Sequence, residues 1–291
     1  MSVELRRARP LLGTLVEVRA DAGDERTARR AIQAAFAEVE IVHRRMSFHE
    51  PDSDLSRLHA APIGTAVALD PRTVEVLRCA LELAELSGGC FDPCIAGILV
   101  SRGFLPEPRS PFAPDLAAGW RDVELIDGRH VRLHRPLWLD LGGIAKGYAV
   151  DRAIDRLQGC GVDGALVNAG GDLRVAGAVE DVVHLCGADN VGVVGAVAIR
   201  NAAVATSAGV ATRRRCGTGW IGTHLDGRDG RVVGLFSSAT VIAPDCMIAD
   251  ALTKIAFAAP PEMTRRLLVR YGAQAAFHEQ EQGWRLADRA A

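Results

Sequence analysis

Residues 139–151 read LDLGGIAKGYAVD. A short apolar run, Leu137, Trp138, Leu139 and Leu141, predicts a strand that ends at a single acid, Asp140. Gly142 and Gly143 follow at once. Ile144, Tyr148, Ala149, Ile154 and Leu157 then recur at helical spacing, which predicts a helix over 144–157. Free N–H groups at a helix start attract anions, and glycines let a ligand approach the backbone closely. Asp140 beside such a pocket repels a phosphate unless a cation stands between them; Lys146 or a metal ion could be that cation. The plainer alternative is an ordinary strand–loop–helix turn with glycines for tight packing. A P-loop is excluded, because the GxxxxGK[ST] spacing is absent and Gly147 follows Lys146.

Residues 11–19 (LLGTLVEVR) alternate like a strand, and 24–45 carry an amphipathic helix set by Ala31, Ala35, Val39 and Val42. Between 46 and 55 lies a polar break, MSFHEPDSDL, in which Ser53 is placed to cap a short helix over 54–59. Its Met46 and Phe48 could pack on an aromatic ligand. Asp70 and Pro71 start a second long helix with Val74, Leu77, Leu81 and Ala84 on one face, stopped by Gly88 and Gly89. A strand or turn then presents Phe91 and Asp92, and the proline-rich stretch 103–119 reads as a long loop or lid.

Strand signals follow at 123–126, 131–133, 165–169, 173–175, 193–199, 203–206 and 238–242. Gly170-Gly171-Asp172 ends one of them, so two segments carry a glycine pair with an Asp beside it. Two Asp-Gly pairs at 226–230 predict a hairpin turn. Helices are expected over 249–258 and 261–271, and a closing hairpin from 273–278 and 284–286.

With 291 residues, 48% of them hydrophobic, the chain can bury a full core. A formal net charge of −2 predicts no general attraction to nucleic acid or anionic membranes. No segment reaches the ~20 apolar residues needed to span a bilayer. No signal peptide or lipid-anchor pattern stands at the N-terminus, so a cytoplasmic location is expected for the chain as given. Seven cysteines, an odd number without a CxxC pair, read as reduced thiols. Of the 34 basic residues only Lys146 and Lys254 are lysine, and both fall where acids and glycines gather. An ammonium is a compact point charge, whereas a guanidinium is a planar fork.

Taken in order, LLGT at 11–14, MSFHEPDSDLSRLHA at 46–60, GGCFDP at 88–93, LDLGGIAKGYAVDRA at 139–153, ALVNAGGDLRVAG at 165–177, VATSAG at 204–209 and ADAL at 249–252 resemble the ApbE family of flavin transferases. The resemblance runs over nearly the whole chain. It implies one domain over 1–291, an α+β fold of two interleaved lobes with mixed or antiparallel sheets, helices packed on them and a cleft between the lobes. It also implies an FAD:protein FMN transferase, which uses Mg²⁺ to move FMN from FAD onto a Ser or Thr hydroxyl of an acceptor protein and releases AMP. Family members are often exported. Attack on a pyrophosphate requires a cation, donors for phosphate oxygens and a positioned hydroxyl, and the acceptor brings the nucleophile.

Position by position, the resemblance makes Leu12, Phe48, Cys90, Phe91, Asp92, Asp140, Lys146 and His224 flavin-nucleotide contacts. Leu12 stands at a Met and Phe48 at a Tyr of the family pattern. His224 and Asp250 are the implied catalytic residues, and Gly143, Asp250 and Thr253 the implied metal ligands, Gly143 through its carbonyl. Two departures bear on these roles. The family places Thr four residues after the metal-helix Asp, where this chain has Lys254; Thr253 comes one place early. Both i+3 and i+4 face i on a helix, so either Thr253 reaches a metal or the Lys254 ammonium sits in its place. In the loop THLDGRDG, the family's His position holds Thr223, and His224 lies one residue late, which turns it to the other face of an extended segment. The departures leave open a metal-impaired FAD-binding module or an FAD hydrolase of the same fold.

Overall fold

The computed structural model describes residues 2–187, 192–217, 219–279 and 283–286. In chain order the strands are β1 (Val3–Leu11), β2 (Thr14–Ala22), β3 (Val67–Ala68), β4 (Val123–Leu125), β5 (His130–Leu133), β6 (Gly164–Ala169), β7 (Asp172–Gly177), β8 (Asp181–Cys186), β9 (Val193–Ile199), β10 (Ala202–Ala208), β11 (Arg214–Cys216), β12 (Gly219–Ile221), β13 (Ser237–Ala243), β14 (Gln274–Glu279) and β15 (Gly283–Leu286). The helices are α1 (Glu25–Met46), α2 (Asp54–Ala60), α3 (Pro71–Leu86), α4 (Ala96–Ser101), α5 (Ala145–Gly159), α6 (Cys246–Ala258) and α7 (Pro261–Arg270).

One eight-stranded sheet, ordered β1-β2-β6-β7-β10-β13-β14-β15, forms the main layer, and every neighbouring pair in it is antiparallel. On one face α1 lies over β1 and β2, α5 over β6 and β7, and α6 over β10 and β13, with α5 touching both other helices. The antiparallel pair β8–β9 covers part of the opposite face. Ala165 and Val167 therefore point into the helix-covered core, while Leu166, Leu173, Val175 and Val204 form a second apolar cluster with Val183 and Val197. Central strands buried on both faces read as continuous apolar runs, as ALVNA does. A smaller antiparallel sheet, β3-β5-β4, is tied to α2 by Arg57, which donates to the Ala68 carbonyl at 2.7 Å. The loop over 103–119 is held beside the end of β5 by Arg135, which donates to the Ala117 carbonyl at 3.1 Å. The α+β class is as expected, with antiparallel sheets throughout. Among the described residues, no helix is long and apolar enough to cross a membrane.

The predicted caps are in place. Asp24, Ser53 and Asp70 each accept a backbone N–H at the start of α1, α2 and α3. Residues 137–141 depart from expectation: all but the half-buried Asp140 are buried, yet they belong to no strand. Their backbone is satisfied singly instead of by a ladder. Leu139 N–H donates to His59 Nε2 at 2.8 Å, and Asp140 N–H to the Pro93 carbonyl at 2.8 Å. The 226–230 turn does close a short hairpin: Leu225 bridges Val232 in antiparallel register, Asp226 N–H donates to the Arg231 carbonyl at 2.8 Å, and Val233 N–H donates to the His224 carbonyl at 3.0 Å. The 11–19 strand starts at Thr14, preceded by β1 and a two-residue turn at Leu12 and Gly13, both at positive φ.

Candidate functional site

The crossing of α5 and α6 builds the centre of the site. Gly147 on α5 faces the first turn of α6 so closely that a Cβ there would lie 2.3 Å from the Cys246 carbonyl oxygen. One turn on, Asp151 accepts the Cys246 and Met247 N–H groups at 2.9 and 2.8 Å and so caps α6 from a neighbouring helix. Arg174 holds the same carboxylate at 2.8 Å. Asp250, fully buried on α6, accepts the Gly147 N–H at 3.2 Å. This interlock brings Lys146, one residue before Gly147, and Lys254, one turn after Asp250, to the same place.

There the chain's two lysines meet two buried acids. Lys146 Nζ pairs with Asp172, and Lys254 Nζ pairs with Asp250 and also donates to the Asp250 carbonyl at 3.1 Å. The four charges sum to zero. Burial alone pulls the Lys146 ammonium down, but the charges of Asp250 and Asp172 outweigh it and hold its pKa above the ordinary lysine value. Burial pushes Asp172 up, and Asp250 adds to that push. For Asp250 burial acts upward too, yet Lys146 and Lys254 overcome it and keep this carboxylate below its usual range.

His224 borders the cluster. Its ring stands 5.3 Å from that of Phe257, and its pKa is lowered to about 4, first by burial and then by Lys254. His224 thus stands half-buried beside the cluster in spite of the one-residue slip. Thr223 instead donates to the Thr212 hydroxyl at 2.8 Å.

Beside the cluster opens a cavity of about 480 Å³. Leu12, Phe48, Asp140 and Lys146 line it together with Met46, His43, His49 and Leu105. The Leu12 backbone, at φ +56, is in the left-handed region that β-turn geometry demands here. Phe48 is nearly buried, on an apolar cluster with Ala96 and Trp138. Asp140 accepts the Gly142 N–H at 3.0 Å; burial raises its pKa, against the pull of that N–H, His49 and Lys254.

Cys90, Phe91 and Asp92 do not line the cavity. Cys90 packs with Val233 and Ala258, and Phe91 lies against Gly143. Asp92 accepts the N–H groups of Cys94 and Trp120 at 2.8 and 3.2 Å. Asp172 and Ser207 were not among the expected site residues, although Gly170-Gly171-Asp172 and VATSAG at 204–209 mark their positions. His43 at the end of α1, and His49 and Leu105 in their loops, carried no further signal.

The Mg²⁺ ligands implied by the resemblance are engaged elsewhere. Thr253 has turned its hydroxyl to the Asp250 carbonyl at 2.7 Å and to Ser207 at 2.7 Å, away from the Asp250 carboxylate. One Asp250 oxygen is taken by Lys254 and the other by Gly147. The Lys254 side chain runs along Gly143, 3.6 Å from where a Cβ would stand. A divalent ion about 4 Å from that ammonium would be repelled by roughly 8 kcal/mol at an effective dielectric of about 20. These residues do not fit Mg²⁺ while Lys254 lies there.

A model of the ApbE family matches residues 12–277. The chain is 29% identical over 293 residues to the FAD:protein FMN transferase of Rhodobacter capsulatus, covering 94% of this chain and 55% of that protein. It is 31% identical over 159 residues to the FAD:protein FMN transferase of Vibrio cholerae, covering 50% of this chain and 46% of that one. The chain thus spans about half the length of these curated relatives. Among solved structures, the ApbE protein of Thermotoga maritima superimposes with a TM-score of 0.81 at 26% identity, over 98% of this chain and 97% of that one. The apo flavinyl transferase ApbE of Pseudomonas stutzeri does so with a TM-score of 0.80 at 24% identity, over 98% and 94%, a likeness of fold.

Proposed function

This chain belongs to the ApbE family, and we propose that it is an FAD:protein FMN transferase. The substrates are FAD and an acceptor protein that offers a Ser or Thr hydroxyl; the products are the flavinylated acceptor and AMP. The observation that carries this reading is the cavity in which Leu12, Phe48, Asp140 and Lys146 converge beside the paired lysines and acids. Leu12, Met46 and Phe48 give apolar walls suited to a flat ring, and Lys146 offers positive charge to a phosphate.

In the reaction the acceptor oxygen attacks the phosphorus that carries the riboflavin chain. A new P–O bond forms, the bridging P–O bond breaks, and AMP leaves with the electron pair. Negative charge on the phosphoryl oxygens is met by the fixed ammonium groups of Lys146 and Lys254, already oriented by Asp172 and Asp250. The hydroxyl proton passes to His224, which burial and Lys254 keep neutral and able to accept it. The Mg²⁺ requirement implied by the resemblance is not carried over, because Lys254 occupies the Asp250 carboxylate.

The test is incubation of the purified chain with FAD and a protein extract of its source organism. Expected are AMP in the supernatant and an FMN adduct located by mass spectrometry on a Ser or Thr. FAD recovered intact would leave a binding module; AMP formed without an acceptor would mean hydrolysis. Either result overturns the transferase reading.

A further inference from the structure

Asp250 is the acid on which a divalent cation would have to be built, and its surroundings are complete without one. Its two carboxylate oxygens face Lys254 Nζ and the Gly147 N–H, and its own carbonyl takes both the Lys254 ammonium and the Thr253 hydroxyl. Thr253 has further committed its hydroxyl to Ser207. Mg²⁺ needs near-octahedral oxygen ligation and gives up water reluctantly. Around Asp250, Gly143 has a lysine stem packed against it, and a carboxylate is already neutralised. The composition points the same way: a chain that otherwise uses arginine throughout its basic residues keeps lysine at 146 and 254 alone. A compact ammonium resembles a metal ion in size and charge density far more than a guanidinium does.

We propose that Lys254 stands in for the divalent cation, so that the Asp250 site excludes metal and flavin transfer proceeds without it. The inference rests on the transferase reading for its chemistry, but its structural half is independent of that reading. Lys254 adds no bond-making step. It supplies fixed positive charge beside the breaking P–O bond, and the proton and leaving group go where they were placed above.

The test is a titration of Mn²⁺, followed by its paramagnetic resonance signal, into the purified chain with and without FAD. The parent and Lys254→Arg are expected to leave the free-ion signal unchanged. Lys254→Thr is expected to take up one Mn²⁺ at least about tenfold more tightly, and Lys254→Thr combined with Asp250→Asn to lose it again. Circular dichroism checks that each variant is folded. Should Lys254→Thr fail to fold, the parent alone decides: its transfer rate in EDTA stays within about twofold of the rate with Mg²⁺. Stoichiometric Mn²⁺ binding by the parent that Asp250→Asn abolishes would overturn the proposal. So would parent activity lost in EDTA and restored by Mg²⁺, or a folded Lys254→Thr that still takes up no Mn²⁺. Absence of flavin transfer under every condition would sink the transferase reading, while the Mn²⁺ titration would still decide whether Lys254 excludes the metal.

Discussion

Lys146 and Lys254 reach their acids from different helices, and each acid is buried, so neither ammonium can be exchanged for water at low cost. His224 faces this arrangement as a neutral imidazole. Its protonation is opposed by burial first and by Lys254 second, so it remains a proton acceptor well below the usual histidine range. For the proposed transfer this predicts a rate level from neutral pH down through 6.5 that falls only as the pH approaches about 4. A profile with its midpoint near 6.5 would show that the base is another, exposed histidine. Replacing His224 by Gln should lower the turnover rate by about 10²–10⁴ while FAD affinity changes little. A loss confined to FAD affinity would make His224 a binding residue and not the base.

At the scale of elements, the contact between α5 and α6 sets the position of every charged group in the cluster. Gly147→Ala would drive a methyl group into the Cys246 carbonyl, 2.3 Å away, and onto the Met247 Cα at 2.7 Å. Both obstacles are backbone, so no side chain can yield. The expected cost is at least ~3 kcal/mol in chemical unfolding, above the usual range for one added methyl. A loss below ~1 kcal/mol would mean that α6 can slide. A second element contact is the bond from Leu139 N–H to His59 Nε2, which requires the neutral ring. Burial lowers the His59 pKa to about 3. The unfolded chain therefore binds the extra proton between pH 6.5 and about 3, and stability falls with acidification across that window. The full effect is roughly 5 kcal/mol at pH 3. Equilibrium unfolding of the parent against His59→Gln should show a shallower pH slope in the variant, and equal slopes would refute the assignment. These same elements show what the sequence could tell. The helices and their caps were legible, because periodicity and Asp24, Ser53 and Asp70 speak locally. Residues 137–141 were misread because a buried irregular segment and a strand share one apolar pattern; what distinguishes them is a set of distant backbone partners, His59 and Pro93. β1 (VELRRARPL) is an exposed edge without apolar alternation, so nothing but its pairing with β2 marks it. Thr253 and Lys254 both face Asp250 on a helix, and side-chain rotamers alone decide which of them meets its carboxylate.

Across the whole molecule, the cavity is lined from four places distant in sequence: the β1–β2 turn at Leu12, the end of α1 at Met46, the proline-rich loop at Leu105 and the approach to α5 at Asp140. Nothing local joins these segments, which is why motifs could name residues but not show which of them share a wall. A ligand that touches all four ties them together. FAD at a hundred times its dissociation constant should stabilise the fold by about 2.7 kcal/mol, seen as a rise of roughly 5–10 °C in melting temperature. Leu12 separates this effect from ordinary packing. It is half-buried and holds φ +56 without being glycine, a conformation that costs roughly 1 kcal/mol or more. Leu12→Gly relieves that strain, loses the side chain that lines the cavity, and brings back unfolded-chain entropy of similar size. The unliganded melting temperature should then stay within a few degrees of the parent, while the shift produced by FAD shrinks by half or more. A variant that melts much lower alone yet keeps the full FAD shift would make Leu12 a packing residue of the hairpin. The strained turn would then owe nothing to the ligand, and the wall of the cavity would have to be sought among Met46, Phe48 and Leu105.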